Sequence, residues 1–225
     1  MPAFHPSFEA LPSEIPVFPL PGALLLPGGR LPLNIFEPRY LAMVTDALGA
    51  GRMFGMIQPR PDAPAGPTGP ALCRVGCLGR ISSFAETEDG RFLITLTGVI
   101  RYDLAGELPM RHGYRRVRAD YTPWRADLDI EEGPPPPVDR AALLEALRAY
   151  FRARRIDANW EAIERTADAT LVTTLCMVCP FDPREKQALL EAPDACERAR
   201  MLIALLRIGA HDPAPASAAP RGRPS

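Results

Sequence analysis

Four consecutive prolines, Pro134–Pro137, constrain this sequence more than any other feature. Proline fixes φ and lacks an N–H, so neither a helix nor an inner strand can run through such a block. The residues before it, DLDIEEG from Asp127 to Gly133, are acidic. Residues 122–137 are therefore predicted to stay extended and to separate two halves of different character.

The first half has the alternation of strands. IPVFPL (15–20) is a short extended run whose prolines suit an edge or a strand start. In LLLPGGRLPLNIF (24–36) a turn at Pro27-Gly28-Gly29 separates two apolar runs. EPRYLAMVTDAL (37–48) places Tyr40, Val44 and Leu48 on one helical face, and Gly49 and Gly51 stop it. MFGMIQP follows as a strand, then a Pro/Gly-rich loop over 59–71. VGCLGRISSFAE and RFLITLTGVIRYDLA flank Asp89-Gly90, a strong hairpin signal, and YRRVRADY (114–121) closes the β-rich part. Residues 1–14 read as a loosely held lead-in, so the β-rich domain spans 15–121.

Beyond the prolines the pattern is helical, over 138–210. Asp139 is placed to cap a helix reaching about Arg155. Asn159 caps a segment running to Cys179 with a break near Asp168. Asp182-Pro183-Arg184-Glu185 combines a cap, a first-turn proline and a glutamate three residues on. Cys196, Ala199, Ile203 and Leu206 line one face of the last helix. Residues 211–225 have the composition of a disordered tail.

Charge weighs against one function class. The 26 basic and 27 acidic side chains leave a formal charge of −1, whereas nucleic-acid binders carry a basic excess. No apolar window reaches the roughly 18 residues a membrane span needs, and no signal-peptide pattern opens the chain. A cytoplasmic protein with no membrane partner is expected. Five cysteines, an odd number, argue against a disulfide framework.

Templates for catalysis are missing. There is no phosphate-cradling G-x-x-x-x-G-K-[ST], no G-x-G-x-x-G, no H-E-x-x-H and no G-x-S-x-G. Any serine–lysine dyad would have to use Lys186, the only lysine, whose place in the first turn of a capped helix predicts a solvated, protonated amine. His5 and His211 fall near the ends, and His112 in a loop. Neither catalytic residues nor a cofactor are expected.

Two weaker patterns remain. Cys73, Cys77, Cys176 and Cys179 form two close pairs that could hold zinc. Core packing is the stronger reading, because Cys77 sits in a strand and Cys176 and Cys179 share a helix face with Val172. Arg111, Arg115, Arg116 and Arg118, interleaved with Tyr114 and Tyr121, could track an RNA backbone. A solvated edge strand facing the acidic 127–132 segment is favoured over that alternative.

Residues 16–48 carry the one specific signal. Phe18, Pro19, Leu20 and Pro21, then Leu26, Pro27 and Gly28, then Pro32, Leu33, Ile35, Phe36, Glu37, Arg39 and Tyr40 closely resemble the opening of the Lon protease N-terminal (substrate-binding) domain family. VGCLGRI and LITLTGVIRY sit where that family has its central hairpin, and CPFDPREKQALLEA looks like the helical subdomain of its stand-alone bacterial members, without ATPase or peptidase modules. The resemblance covers about residues 15–207. It implies an α+β fold, a PUA-like β pseudo-barrel followed by a C-terminal helical bundle. It also implies a non-enzymatic protein-binding module, an adaptor or regulator in proteolysis or quality control. Its partners would be extended or unfolded clients, a protease, or a second copy of itself. The motif residues read mainly as structure: prolines and Gly28 for turns, Phe18, Leu33 and Phe36 as core. Glu37 and Arg39 would form an ion pair clamping the helix to the barrel, with Tyr40 on the same helix.

Overall fold

The computed structural model describes residues 6–60, 62–129 and 138–211. The prolines at 134–137, with residues 130–133, lie outside them, as do 1–5 and the tail from 212. The described residues pack as two compact units, one holding those up to 129 and 173–192, the other 138–172 and 193–211. The helical stretch is thus shared between units.

The first unit is built on six strands: β1 (Glu14–Pro19), β2 (Arg30–Ile35), β3 (Met53–Ile57), β4 (Val75–Glu86), β5 (Phe92–Arg111) and β6 (Tyr114–Asp120). Their order is β2-β5-β4-β3-β1-β6, and β6 pairs again with β5. That second pairing closes β5, β4, β3, β1 and β6 into a barrel. The 20-residue β5 makes this possible. Its far half, from Asp103, pairs with β6, while Phe92–Thr97 pairs with β2.

β1 is an inner strand rather than an edge. It pairs with β6 over Glu14–Val17 and with β3 over Val17–Pro19. Pro16 and Pro19 therefore each lie where the strand has one neighbour, which leaves an open side for the missing N–H. The barrel core gathers Ile15, Val17, Leu78, Ile100, Tyr102 and Val117, all fully buried.

Two segments expected to be loose are held. Phe8 and Leu11 pack against the core, and Pro12 O accepts the Tyr121 hydroxyl at 2.8 Å. The described part of the lead-in is therefore ordered by apolar burial. Thr122–Asp129 forms tight 3-10 turns instead of an extended linker, because Trp124 and Leu128 also pack on the core. Asp127 is buried there against Arg101, Oδ1 to Nη2 2.7 Å. Arg101 further donates to Leu190 O at 3.0 Å and to Ala192 O, and its guanidinium lies 3.9 Å from the Trp124 ring centroid.

Between β2 and β3 runs α1 (Pro38–Gly49), burying Tyr40, Met43, Val44 and Ala47. Lower down the chain, α5 (Pro183–Glu191) opens with the predicted capping box: Asp182 accepts from Arg184 N and Glu185 N, and Glu185 accepts from Asp182 N. The second unit contains α2 (Arg140–Arg154), α3 (Trp160–Arg165), the first turn of α4 (Asp168–Val178), and α6 (Ala195–His211). Leu143, Leu147 and Tyr150 of α2 are buried where it packs against α6, whose Leu202 and Leu206 are also fully buried. The predicted break near Asp168 separates α3 from α4, and Arg140 ties that corner by pairing with Asp168 and donating to Thr166 O at 3.0 Å.

Candidate functional site

The 16–48 motif assembles one corner of the barrel unit. Phe18 stacks on Tyr40, with centroids 4.2 Å apart, and burial pushes the Tyr40 hydroxyl pKa up. Pro19 pairs with Ile57, and Leu20 N donates to Ile57 O at 3.1 Å. Pro21 then turns the chain, and Gly22 N donates to Gln58 Oε1 at 3.0 Å. Pro27 bridges to Gly98 and Gly28 N donates to Gly98 O at 3.0 Å. Gly28 has φ +74°, a conformation that favours glycine. A Cβ on Gly98 would overlap the Leu26 carbonyl oxygen. The Pro27-Gly28 motif is thus a backbone crossing over β5, a steric requirement rather than a ligand site.

Two readings of the motif are corrected. Phe36 is 61% exposed and Leu33 is only half-buried. Phe36 follows the last residue of β2, which pairs only with β5 and lies on the part of the sheet outside the closed barrel. Glu37 and Arg39 do form an ion pair, 2.8 Å long. It is exposed and local, and it clamps nothing to the barrel; Arg39 instead lies over the Tyr40 ring at 4.6 Å.

The clamp is a cluster that sequence reading missed. Asp46 Oδ2 on α1 accepts the Tyr114 hydroxyl at 2.6 Å and lies 3.1 Å from His112 Nδ1 and 3.3 Å from Arg111 Nε. The Tyr114 hydrogen bond is the main cause holding the Asp46 carboxyl below its ordinary pKa. Burial, with that same bond, pushes the Tyr114 phenol up to about 12. The available signal was His112-Gly113, a tight turn with φ of 47° and 81° that aims the hairpin end at α1.

Each clustered arginine has a carboxylate partner among the described residues; of the acidic segment predicted to face them, Glu131 and Glu132 lie outside the described residues. Arg111 pairs with Asp46, Arg115 with Glu107 at 2.6 Å, and Arg116 and Arg118 with Glu14 at 2.9 and 3.9 Å. Arg115 is buried. Such a neutralised strand offers little to a polyphosphate backbone.

Cys77, Cys176 and Cys179 are buried and Cys73 half-buried, and none of the four is in a disulfide. Among the described residues no group of three or more His, Cys, Asp or Glu is placed to hold a metal. Burial pushes the Cys179 thiol up to about 12, away from the thiolate a metal needs. Lys186 is not solvated: it is 7% exposed, and its Nζ donates to Gly22 O at 2.8 Å and Met177 O at 3.2 Å. Its aliphatic stem is buried as α5 packs, and desolvation lowers its pKa.

Exposed apolar side chains collect on an arm outside the closed barrel, where β2, the start of β5 and the end of β4 form three antiparallel strands. Phe36 is 61%, Leu93 46% and Phe84 40% exposed. Phe84 packs edge-on against Phe92 at 5.0 Å, and Arg91 lies 5.9 Å from the Phe36 ring.

A closed barrel of mixed strand direction, antiparallel except for the parallel pairing of β1 with β3, together with an apolar arm and a set of helices, defines a PUA-like pseudo-barrel protein. The chain belongs to the ATP-dependent protease La (LON) substrate-binding domain family, whose model matches residues 14–207. It is 27% identical over 213 residues to Lon protease 2 of Sorangium cellulosum, covering 92% of this chain and 26% of that protein. It is 26% identical over 215 residues to the Lon protease of Parabacteroides distasonis, covering 90% and 25%. The chain therefore spans about a quarter of the length of these relatives. Two solved structures share the fold. The Lon N-terminal domain protein from Xanthomonas campestris has TM-score 0.55 at 23% identity, covering 85% of this chain and 97% of that one. The N-terminal domain of Mycobacterium avium complex Lon protease has TM-score 0.58 at 19% identity, covering 86% and 97%.

Proposed function

We propose that the chain is a polypeptide-recognition module that holds exposed apolar segments of other proteins without cleaving them, as an adaptor or regulator in proteolysis or protein quality control. Membership of a substrate-binding domain family supports recognition as the task. The observation that carries the reading is the arm. Large apolar side chains stand in water on both faces of it, Phe36 and Leu93 on one and Phe84 on the other, and exposed apolar surface of this kind marks interaction sites. The non-catalytic reading is supported by Lys186, whose amine is engaged with two backbone carbonyls instead of a reacting group. No helix among the described residues is long and apolar enough to cross a membrane, which is consistent with a cytoplasmic client pool.

The test is capture of a reduced, carboxymethylated protein by the purified chain. Phe36→Ser with Leu93→Ser should weaken capture roughly thirtyfold, since each removes an exposed anchor worth about 1 kcal/mol. Stability should move by no more than about 0.5 kcal/mol per site. Undiminished capture would take the arm out of the proposal, and no capture by the wild-type chain would remove the recognition reading itself.

A further inference from the structure

The arm has two edges, and they are treated differently. Thr87 N donates to Arg91 O at 2.9 Å, which fixes the phase of the hairpin. By alternation Ala85 and Ser83 turn their backbone groups toward β5, while Phe84 and Glu86 turn theirs outward. On β5 the same phase directs Phe92, Ile94 and Leu96 toward β2, which they meet at Ile35, Leu33 and Leu31. The outward positions of β2 are thus Arg30, Pro32 and Asn34. Pro32 has no N–H, so this edge is blunted in its middle, a common protection against strand addition.

The β4 edge carries no proline. The pairing of β3 with β4 ends at Arg80, and a bulge follows between Ile81 and Ser83. Among the described residues, nothing pairs with the outer side of Ser83–Glu86. These residues are exposed, and they contain neither proline nor a basic side chain. At the tip, Asp89 is paired with Arg91, whereas Glu86 and Glu88 form no ion pair with any described residue.

We propose that the outer edge of β4 at Phe84 and Glu86 accepts an added strand, and that its occupant is an extended segment of a client polypeptide with alternating uncharged residues next to a basic flank. The inference rests on the recognition reading above and adds its binding mode. Only another backbone supplies donors and acceptors at strand spacing for the two N–H and two C=O groups that point outward. Phe84 offers an apolar contact to every second side chain on its face. The carboxylates of Glu86 and Glu88 select lysine or arginine beyond the strand.

The experiment uses the full chain and a fluorescein-labelled decapeptide of alternating valine and threonine with two lysines at each end, read by fluorescence anisotropy. Glu86→Gln removes the charge and keeps the N–H; Glu86→Pro removes both, at a position where the ladder to β5 does not use the N–H. Glu86→Gln should weaken binding about two- to threefold. Glu86→Pro should weaken it a further three- to tenfold, roughly the worth of one hydrogen bond. Circular dichroism should be unchanged in both. A Glu86→Pro variant that binds as well as Glu86→Gln overturns the proposal. So does a wild-type chain that captures the carboxymethylated protein but ignores the peptide, which leaves the recognition reading standing. Failure to bind either probe overturns both.

Discussion

Arg101 shows how much one side chain can organise. Its guanidinium joins β5 to Asp127 and to the carbonyls of Leu190 and Ala192, all in a buried setting. Arg101→Met would leave the Asp127 carboxylate buried without its counter-charge, and breaking such a pair costs about 3–5 kcal/mol. Urea unfolding of the variant should show that loss; a change under about 1 kcal/mol would mean the carboxylate finds water. Asp46 and Tyr114 give a pH signature of opposite signs at the two extremes. Asp46 titrates below its unfolded value, so its contribution holds above about pH 4 and is lost as pH falls through the folded pKa. Tyr114, raised to about 12, contributes fully below its unfolded value near 10 and loses that contribution as pH rises through 12. The stability difference between wild type and Tyr114→Phe, about 1.5–2 kcal/mol for a hydrogen bond to a carboxylate, should therefore be flat from pH 5 to 9. It should shrink toward both ends. These partners were illegible in the sequence because they are set by pairing across 26 and 68 residues. Phe36 misled for a related reason: its apolar neighbours signal a strand but not which sides of that strand will be covered.

At the scale of elements, local chemistry was readable wherever the element makes its own rules. The Asp182 capping box, the Asn159 and Asp139 caps and the Asp89-Gly90 hairpin are all in place, because each is decided within a few residues. Strand neighbours were not readable, since a strand's pattern does not name its partners. Hence β1, whose prolines suit an edge or a strand start, lies between two neighbours inside the barrel. The crossing of Pro27-Gly28 over Gly98 yields a sharp contrast. Gly98→Ala must push the Leu26 carbonyl away and should cost about 3 kcal/mol or prevent folding. Gly106→Ala, in the same strand with open space around it, should stay within about 0.5 kcal/mol. Comparable thermal midpoints for the two would mean that the backbone crossing is soft.

For the whole molecule, near-zero net charge and separately paired arginines fit the proposal that recognition uses the apolar arm and its open strand edge. The family was legible because residues 16–48 encode a backbone crossing and a helix start with little tolerance for change. The exposed apolar arm was not, because exposure is decided only when the strands have chosen neighbours. The sole lysine has a practical corollary. With Lys186 buried and held by two carbonyls, amine-reactive dyes and cross-linkers find no exposed lysine side chain on the folded chain. A lysine-specific endoprotease finds its single internal target only when α5 comes free. One cleavage event, counted over time, is thus a clock for the opening of that helix, and a bound client that slows it would be stabilising the barrel unit from a distance.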